Sequence, residues 1–161
     1  MIRLTASNDV LGNGTRTIRY EADQMSGVFK LTKSIGERDV DVNDFYMLDN
    51  GNIGIIIELP VIELQTTGRY ESKSFKIGIE YVHDYPIAAP KVFIIDPELD
   101  PIETPHMYVD GSICYLKADE DWSNDYTSYE VAQMVKSWIY AYCKWERKGI
   151  WGWAEHQEKP Q

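Results

Sequence analysis

Ser74-Phe75-Lys76-Ile77-Gly78-Ile79-Glu80-Tyr81 alternates polar and apolar residues without a break. A period of two puts Phe75, Ile77, Ile79 and Tyr81 on one face of an extended strand and leaves the other face to water. Upstream, Ile53, Ile55, Ile57 and Leu59 recur at the same period behind Asn50-Gly51, a strong turn signal, and Pro60 is expected to end that strand. Segments 28–32 (Val-Phe-Lys-Leu-Thr) and 92–95 (Val-Phe-Ile-Ile) read as two further strands. Gly68 punctuates one connection, and no helix-length pattern lies between the strands. Short connections of this kind join antiparallel neighbours, so the expected sheet is a four-stranded antiparallel meander.

Helices are expected on either side of it. Ile18, Ala22 and Met25 recur at helical spacing and predict a short amphipathic N-terminal helix over about 15–25. Thr127-Ser128-Tyr129-Glu130 has the form of a capping box, with Thr127 as N-cap. The apolar stripe Val131, Met134, Val135, Trp138, Ile139 and Tyr142 follows it. Lys144, Arg147 and Lys148 suit the negative end of this long C-terminal helix, and Gly149 is a natural stop. Between strands and helix, residues 96–126 lose regular patterning, with Pro97, Pro101, Pro105 and Gly111. Ile102, Met107, Tyr108, Ile113, Tyr115, Leu116 and Trp122 supply apolar anchors, so this stretch reads as an ordered functional loop. Trp151 and Trp153 make the tail too aromatic to be idle and are expected to fold back onto the body. The class is α+β.

The chain has 161 residues, of which 43% are hydrophobic and 26% charged, with no repeat or low-complexity linker, so 1–161 reads as a single domain. Its net charge of −10 repels phosphate backbones and argues against nucleic-acid binding. No apolar run approaches the ~20 residues of a spanning helix, and a signal-peptide pattern is absent from the N-terminus, so no membrane role is expected. Two cysteines, Cys114 and Cys143, without an export signal point to a reducing, cytoplasmic setting. Neither CxxC nor HxxxH spacing occurs, so no metal is expected.

Cys114 follows Asp110-Gly111-Ser112-Ile113 in the ordered loop, where a thiol has the access a nucleophile needs. Taken alone, a cysteine is more often a buried small hydrophobe, and Cys143, beside the helix stripe, reads that way. His83 lies in a turn and His156 near the C-terminus, whereas His106 stands eight residues before Cys114 in the same loop. A cysteine–histidine pair fits a nucleophile with its base, or a thioester-forming cysteine beside an oxyanion donor.

Tyr85-Pro86 with Ala89-Pro90-Lys91-Val92, and then Thr104-Pro105-His106-Met107-Tyr108-Val109-Asp110-Gly111-Ser112-Ile113-Cys114, resemble the active-site region of ubiquitin-conjugating enzymes. Trp122, eight residues past the cysteine, and the helix that follows also match that pattern. Arg16, Ile18, Glu21 and Met25 loosely echo the family's first helix. The resemblance is specific over 81–140 and topological over 15–80. Two departures stand out. The family's His-Pro-Asn is Thr104-Pro105-His106 here, so His106 fills the asparagine position. The usual last two helices are missing, replaced by one helix and an aromatic tail. These departures are similar to the bacterial branch, the stand-alone conjugating enzymes of type II CBASS antiphage systems.

The resemblance implies that Cys114 carries a protein C-terminus as a thioester and passes it to a lysine amine. In that picture His106 stabilises the oxyanion or shapes the loop. Thr104, Pro105, Gly111 and Trp122 support the loop, and Asp119 and Asp121 orient the acceptor. The implied partners are the protein whose C-terminus is carried (a cyclic-nucleotide synthase), a separate activating enzyme and a lysine-bearing acceptor. That chemistry implies no cofactor, and ATP use falls to the activating enzyme, since no GxxxxGK[ST] loop occurs in the sequence. Three other readings stay open: an inactive module that only binds, a cysteine hydrolase that removes conjugates, and a redox-sensing domain.

Overall fold

The computed structural model describes residues 2–4, 10–12, 16–21, 23–24, 45–64, 68–117 and 121–153. Among the described residues, five strands, β1 (Ile2–Leu4), β2 (Phe45–Met47), β3 (Ile53–Leu64), β4 (Tyr70–Tyr81) and β5 (Lys91–Asp96), form one sheet in the order β1-β2-β3-β4-β5. Every pairing is antiparallel. One long helix, α1 (Ser128–Lys148), follows. The architecture is α+β, as expected from the sequence.

The meander is present as β2–β5, four consecutive antiparallel neighbours, with β1 added outside β2. The strand expected at 28–32 lies outside the described residues, as do Ala22 and Met25 of the expected N-terminal helix. Within 15–25, residues 18–21 and 23–24 are helical. Asn50-Gly51 turns β2 into β3: Gly51 sits at φ 89° and donates its N–H to the Leu48 carbonyl at 2.9 Å.

Pro60 does not end β3. The strand runs on to Leu64, with Pro60 opposite Ser74 in an unbroken register. The reason lies in the other edge. β2 pairs only with 53–55, so beyond Ile55 the described strands flank β3 on the β4 side alone. On such an edge the missing proline N–H breaks no ladder bond.

Register then builds the core. Ile55, Ile57 and Leu59 stand directly opposite Ile79, Ile77 and Phe75, all buried on one face, with Val92 of β5 beside Ile79. Each such buried side chain contributes ~1.5–3 kcal/mol. α1 covers this face with Val131, Val135, Trp138, Ile139 and Tyr142, and the Tyr142 ring meets Phe75 edge-on with centroids 6.2 Å apart. Cys143 is buried on the same helix.

The start of α1 is built twice over. Thr127 at N-cap accepts from the Tyr129 N–H at 3.2 Å, while Glu130 accepts from the Thr127 N–H at 2.6 Å, which completes the capping box. At the other end Gly149, at φ 74°, donates to the Trp145 carbonyl at 2.7 Å.

The second anchor is Glu21, which is fully buried. Its carboxylate accepts from the Ser128 N–H at 2.8 Å, the Ser128 hydroxyl at 2.7 Å and the Tyr85 hydroxyl at 2.6 Å. Arg16 stands 3.6 Å away and donates to the carbonyls of Tyr126 and Asn124. A negative charge at a helix N-terminus is favourable, and full hydrogen bonding with a nearby guanidinium makes its burial tolerable. Tyr81 and Ser128 share a further hydrogen bond at 2.5 Å, and burial pushes the Tyr81 phenol well above its ordinary range.

Removing the carboxylate leaves a buried backbone N–H and two hydroxyls to find other partners. Glu21→Ala is therefore expected to lower the unfolding free energy by about 3 kcal/mol. Urea denaturation followed by tryptophan fluorescence measures this, and a loss below 1 kcal/mol contradicts a central role for Glu21.

Candidate active site

Chain 106–114, expected as part of an irregular loop, is a small hairpin docked on the sheet edge. Met107 and Ile113 face each other across it, flanked by Tyr108 N–H to the Ser112 carbonyl at 2.8 Å and Cys114 N–H to the His106 carbonyl at 2.9 Å. Its tip closes through Gly111 N–H to the Tyr108 carbonyl at 2.9 Å, with Gly111 at φ 92°, a region open to glycine without strain. The second arm pairs with β5 through the Phe93–Ser112 bridge and the Ile113 N–H, which donates to the Val92 carbonyl at 2.8 Å. That pairing also covers part of the exposed edge of β5.

Strand alternation places the cysteine. Ile113 and Tyr115 are buried, so Cys114 between them turns the other way and is partly exposed. It opens into a groove of about 450 Å³ lined by Pro90, Lys91, Tyr108, Asp110 and Leu116 among others. The Tyr115 hydroxyl donates to the Pro90 carbonyl at 2.6 Å and holds the floor of this groove. The thiol itself lies 3.8 Å from the Leu116 carbonyl, a loose sulfur contact.

Asp110 organises the tip. It accepts from the Ser112 hydroxyl at 2.6 Å and N–H at 2.9 Å, and from Lys91 at 3.1 Å. The Ser112 bonds first, and then the lysine, hold its carboxyl down at about 2. A depressed carboxyl stabilises the folded form above its ordinary value near 3.8, and that contribution fades as pH falls toward 2. Both partners are largely exposed, so solvent screening keeps the effect below about 1 kcal/mol. The expected signature is an NMR titration of the Ser112 amide with its midpoint near 2, and a midpoint at 4 contradicts the arrangement.

His106 stands opposite Cys114 in the hairpin register, but the two meet through backbone. Its φ of 57° is left-handed, a conformation that asparagine, aspartate and histidine tolerate better than other side chains. The ring packs with Trp151 and Trp153, at centroid distances of 4.7 and 5.3 Å. Its carbonyl accepts both the Cys114 N–H and the Trp138 indole N–H, the latter at 3.1 Å. The aromatic tail therefore does fold back, and it lands on the active-site hairpin, with Trp151 also edge-on to Trp138 at 5.3 Å. Lys117 lies 5.6 Å above the Trp153 ring.

The remaining predicted residues sit around this hairpin. Thr104 is buried and ends a turn in which its N–H reaches the Asp100 carbonyl at 3.0 Å, and Pro105 leads on to His106. Trp122 donates to the Pro86 carbonyl at 2.8 Å and packs near Tyr85 and Tyr126, so it ties the post-cysteine chain to the turn before β5. Asp121 is exposed, and Asp119 lies outside the described residues. Tyr108, read from sequence only as an anchor, is half exposed beside Cys114. The neighbouring Cys114 side chain, then burial, pushes its phenol up to about 12. Its signal was the hairpin register, which is invisible until Gly111 is known to close a tight turn.

An antiparallel meander under one long helix, with a cysteine hairpin on its edge strand, is compatible with an E2-like fold. The family model described as Type II CBASS E2 protein matches residues 48–159, and the chain belongs to that family. No curated protein matches the chain. Membership implies an E2-like conjugating role in CBASS defence. No helix among the described residues is long and apolar enough to cross a membrane.

The backbone conformation at His106 makes a test. His106→Asn is expected to keep the melting temperature within about 2 °C, whereas His106→Val, β-branched at positive φ, is expected to lose ~1–3 kcal/mol. Equal melting curves for the two variants contradict a backbone role for this position.

Proposed function

We propose that Cys114 accepts the C-terminal carboxyl group of a partner protein as a thioester and passes it to a lysine amine, forming an isopeptide bond. The observation that carries this reading is the seat of Cys114: a family member's cysteine, turned outward by its buried neighbours, at the mouth of an open groove. A groove beside a thiol suits an extended chain end, which reaches the sulfur without the hairpin opening. The cargo is a cyclic-nucleotide synthase of the same defence system, supplied through a separate activating enzyme, and the acceptor bears a lysine.

Within this reading His106 acts by shaping the loop. Its left-handed backbone aims its carbonyl at the Cys114 N–H, and Trp138, Trp151 and Trp153 hold it there. Thr104, Pro105 and Gly111 set the hairpin, and Trp122 fixes the chain beyond it. Asp121, which is exposed, and Asp119 are assigned from the sequence the role of orienting an incoming ammonium group.

Intact-mass analysis of the protein isolated from its host under non-reducing, mildly acidic conditions tests the proposal. Wild type is expected to carry a thiol-sensitive protein adduct. Cys114→Ala carries none, and Cys114→Ser converts the adduct to a stable ester. No adduct on any form, with the neighbouring genes co-expressed, favours the binding-only reading.

A further inference from the structure

The hairpin register brings a phenol to the cysteine. Tyr108 pairs with Ser112, two residues before Cys114, on the flank of the buried Met107–Ile113 pair. Tyr108 and Cys114 are thus diagonal neighbours on one face, a separation that a long aromatic side chain spans. Both line the same open groove, and the Cys114 side chain facing the Tyr108 phenol pushes its titration up. A phenol that titrates near 12 keeps its proton wherever the enzyme works, so toward the sulfur it is a donor. The neighbouring polar groups are otherwise engaged. Asp110 is held by Ser112 and Lys91, the Tyr115 hydroxyl is turned to Pro90, and Lys117 lies over Trp153.

We propose that Tyr108 is a catalytic residue of the transfer step, its hydroxyl donating a hydrogen bond to the Cys114 sulfur as that sulfur departs from the acyl group. The inference rests on the thioester reading of Cys114 and adds to it the group that makes the sulfur leave. The amine nitrogen bonds to the thioester carbonyl carbon, and the C–S bond breaks. Its electron pair goes to Sγ of Cys114, and the amine proton passes to solvent. A donor seated beside Sγ stabilises the thiolate as it forms.

The two half-reactions respond differently. In loading Cys114 is the nucleophile, and a donor that stabilises its thiolate also makes it attack more weakly, effects that largely cancel. In transfer Cys114 is the leaving group, and there the bond acts in one direction only. A merely structural tyrosine would affect both steps alike.

The test uses the full chain, wild type and Tyr108→Phe, with Cys114→Ala as the control for Cys143. The acyl donor is a glycine-terminated peptide thioester of mercaptoethanesulfonate, the acceptor is free lysine, and intact mass follows both steps. Expected for Tyr108→Phe are loading within about threefold of wild type and discharge to lysine slower by about ten- to a hundredfold. Discharge at the wild-type rate overturns the assignment to Tyr108, and so does an equal fall in both steps. A wild-type chain that takes no acyl group from the probe overturns the thioester reading itself.

Discussion

A buried carboxylate at the N-terminus of the long helix is the constraint on which the rest of this fold depends. Glu21 reaches from the N-terminal helical turn to the first residue of α1 and to the tyrosine of the turn before β5. Its two oxygens receive three donors, and Arg16 supplies a nearby positive charge. Three parts of the chain distant in sequence are thereby fixed to one point: the start of α1, the entry to β5 and the segment around Arg16. The long helix covers the sheet, and β5 carries the active-site hairpin, so the placement of the site follows from this junction. A carboxylate serves here because it accepts several hydrogen bonds at once and favours the positive end of the helix dipole.

The hairpin that bears Cys114 depends on a different balance. Its inward pair, Met107 and Ile113, is anchored in the core, and its tip is drawn tight by Gly111 and Asp110. Rigidity on one face leaves the other face open with its geometry set, as a reacting thiol requires. His106 is the irregular member. A left-handed residue in the first arm turns its ring away from the strand alternation and onto Trp151 and Trp153. Trp151 and Trp153 thus pack on the residue whose carbonyl holds the Cys114 N–H.

The sheet supplies the platform with few devices. Long, matched antiparallel pairing between β3 and β4 buries alternate isoleucines against α1. The proline inside β3 is accommodated because the far edge of the strand is unpaired among the described residues.

Much of this was legible from the sequence, for physical reasons that are local. Alternation over 74–81 marks a strand because side chains in an extended chain change face at every residue, and Thr127 with Glu130 marks a helix start because both satisfy backbone groups within one turn. The motif around Cys114 pointed to the family. Tertiary structure decided where the strand containing Pro60 ends, because that depends on which edge has a partner. It decided that Glu21, four residues after Thr17 on a short helical turn, is a buried cap rather than a surface acid. It also decided which side chains meet at the cysteine. Sequence proximity singled out His106, whereas hairpin register and a left-handed backbone direct its ring to the tail and set Tyr108 beside the sulfur. Contacts of that kind arise from how two arms fold back on each other, and no single segment contains them.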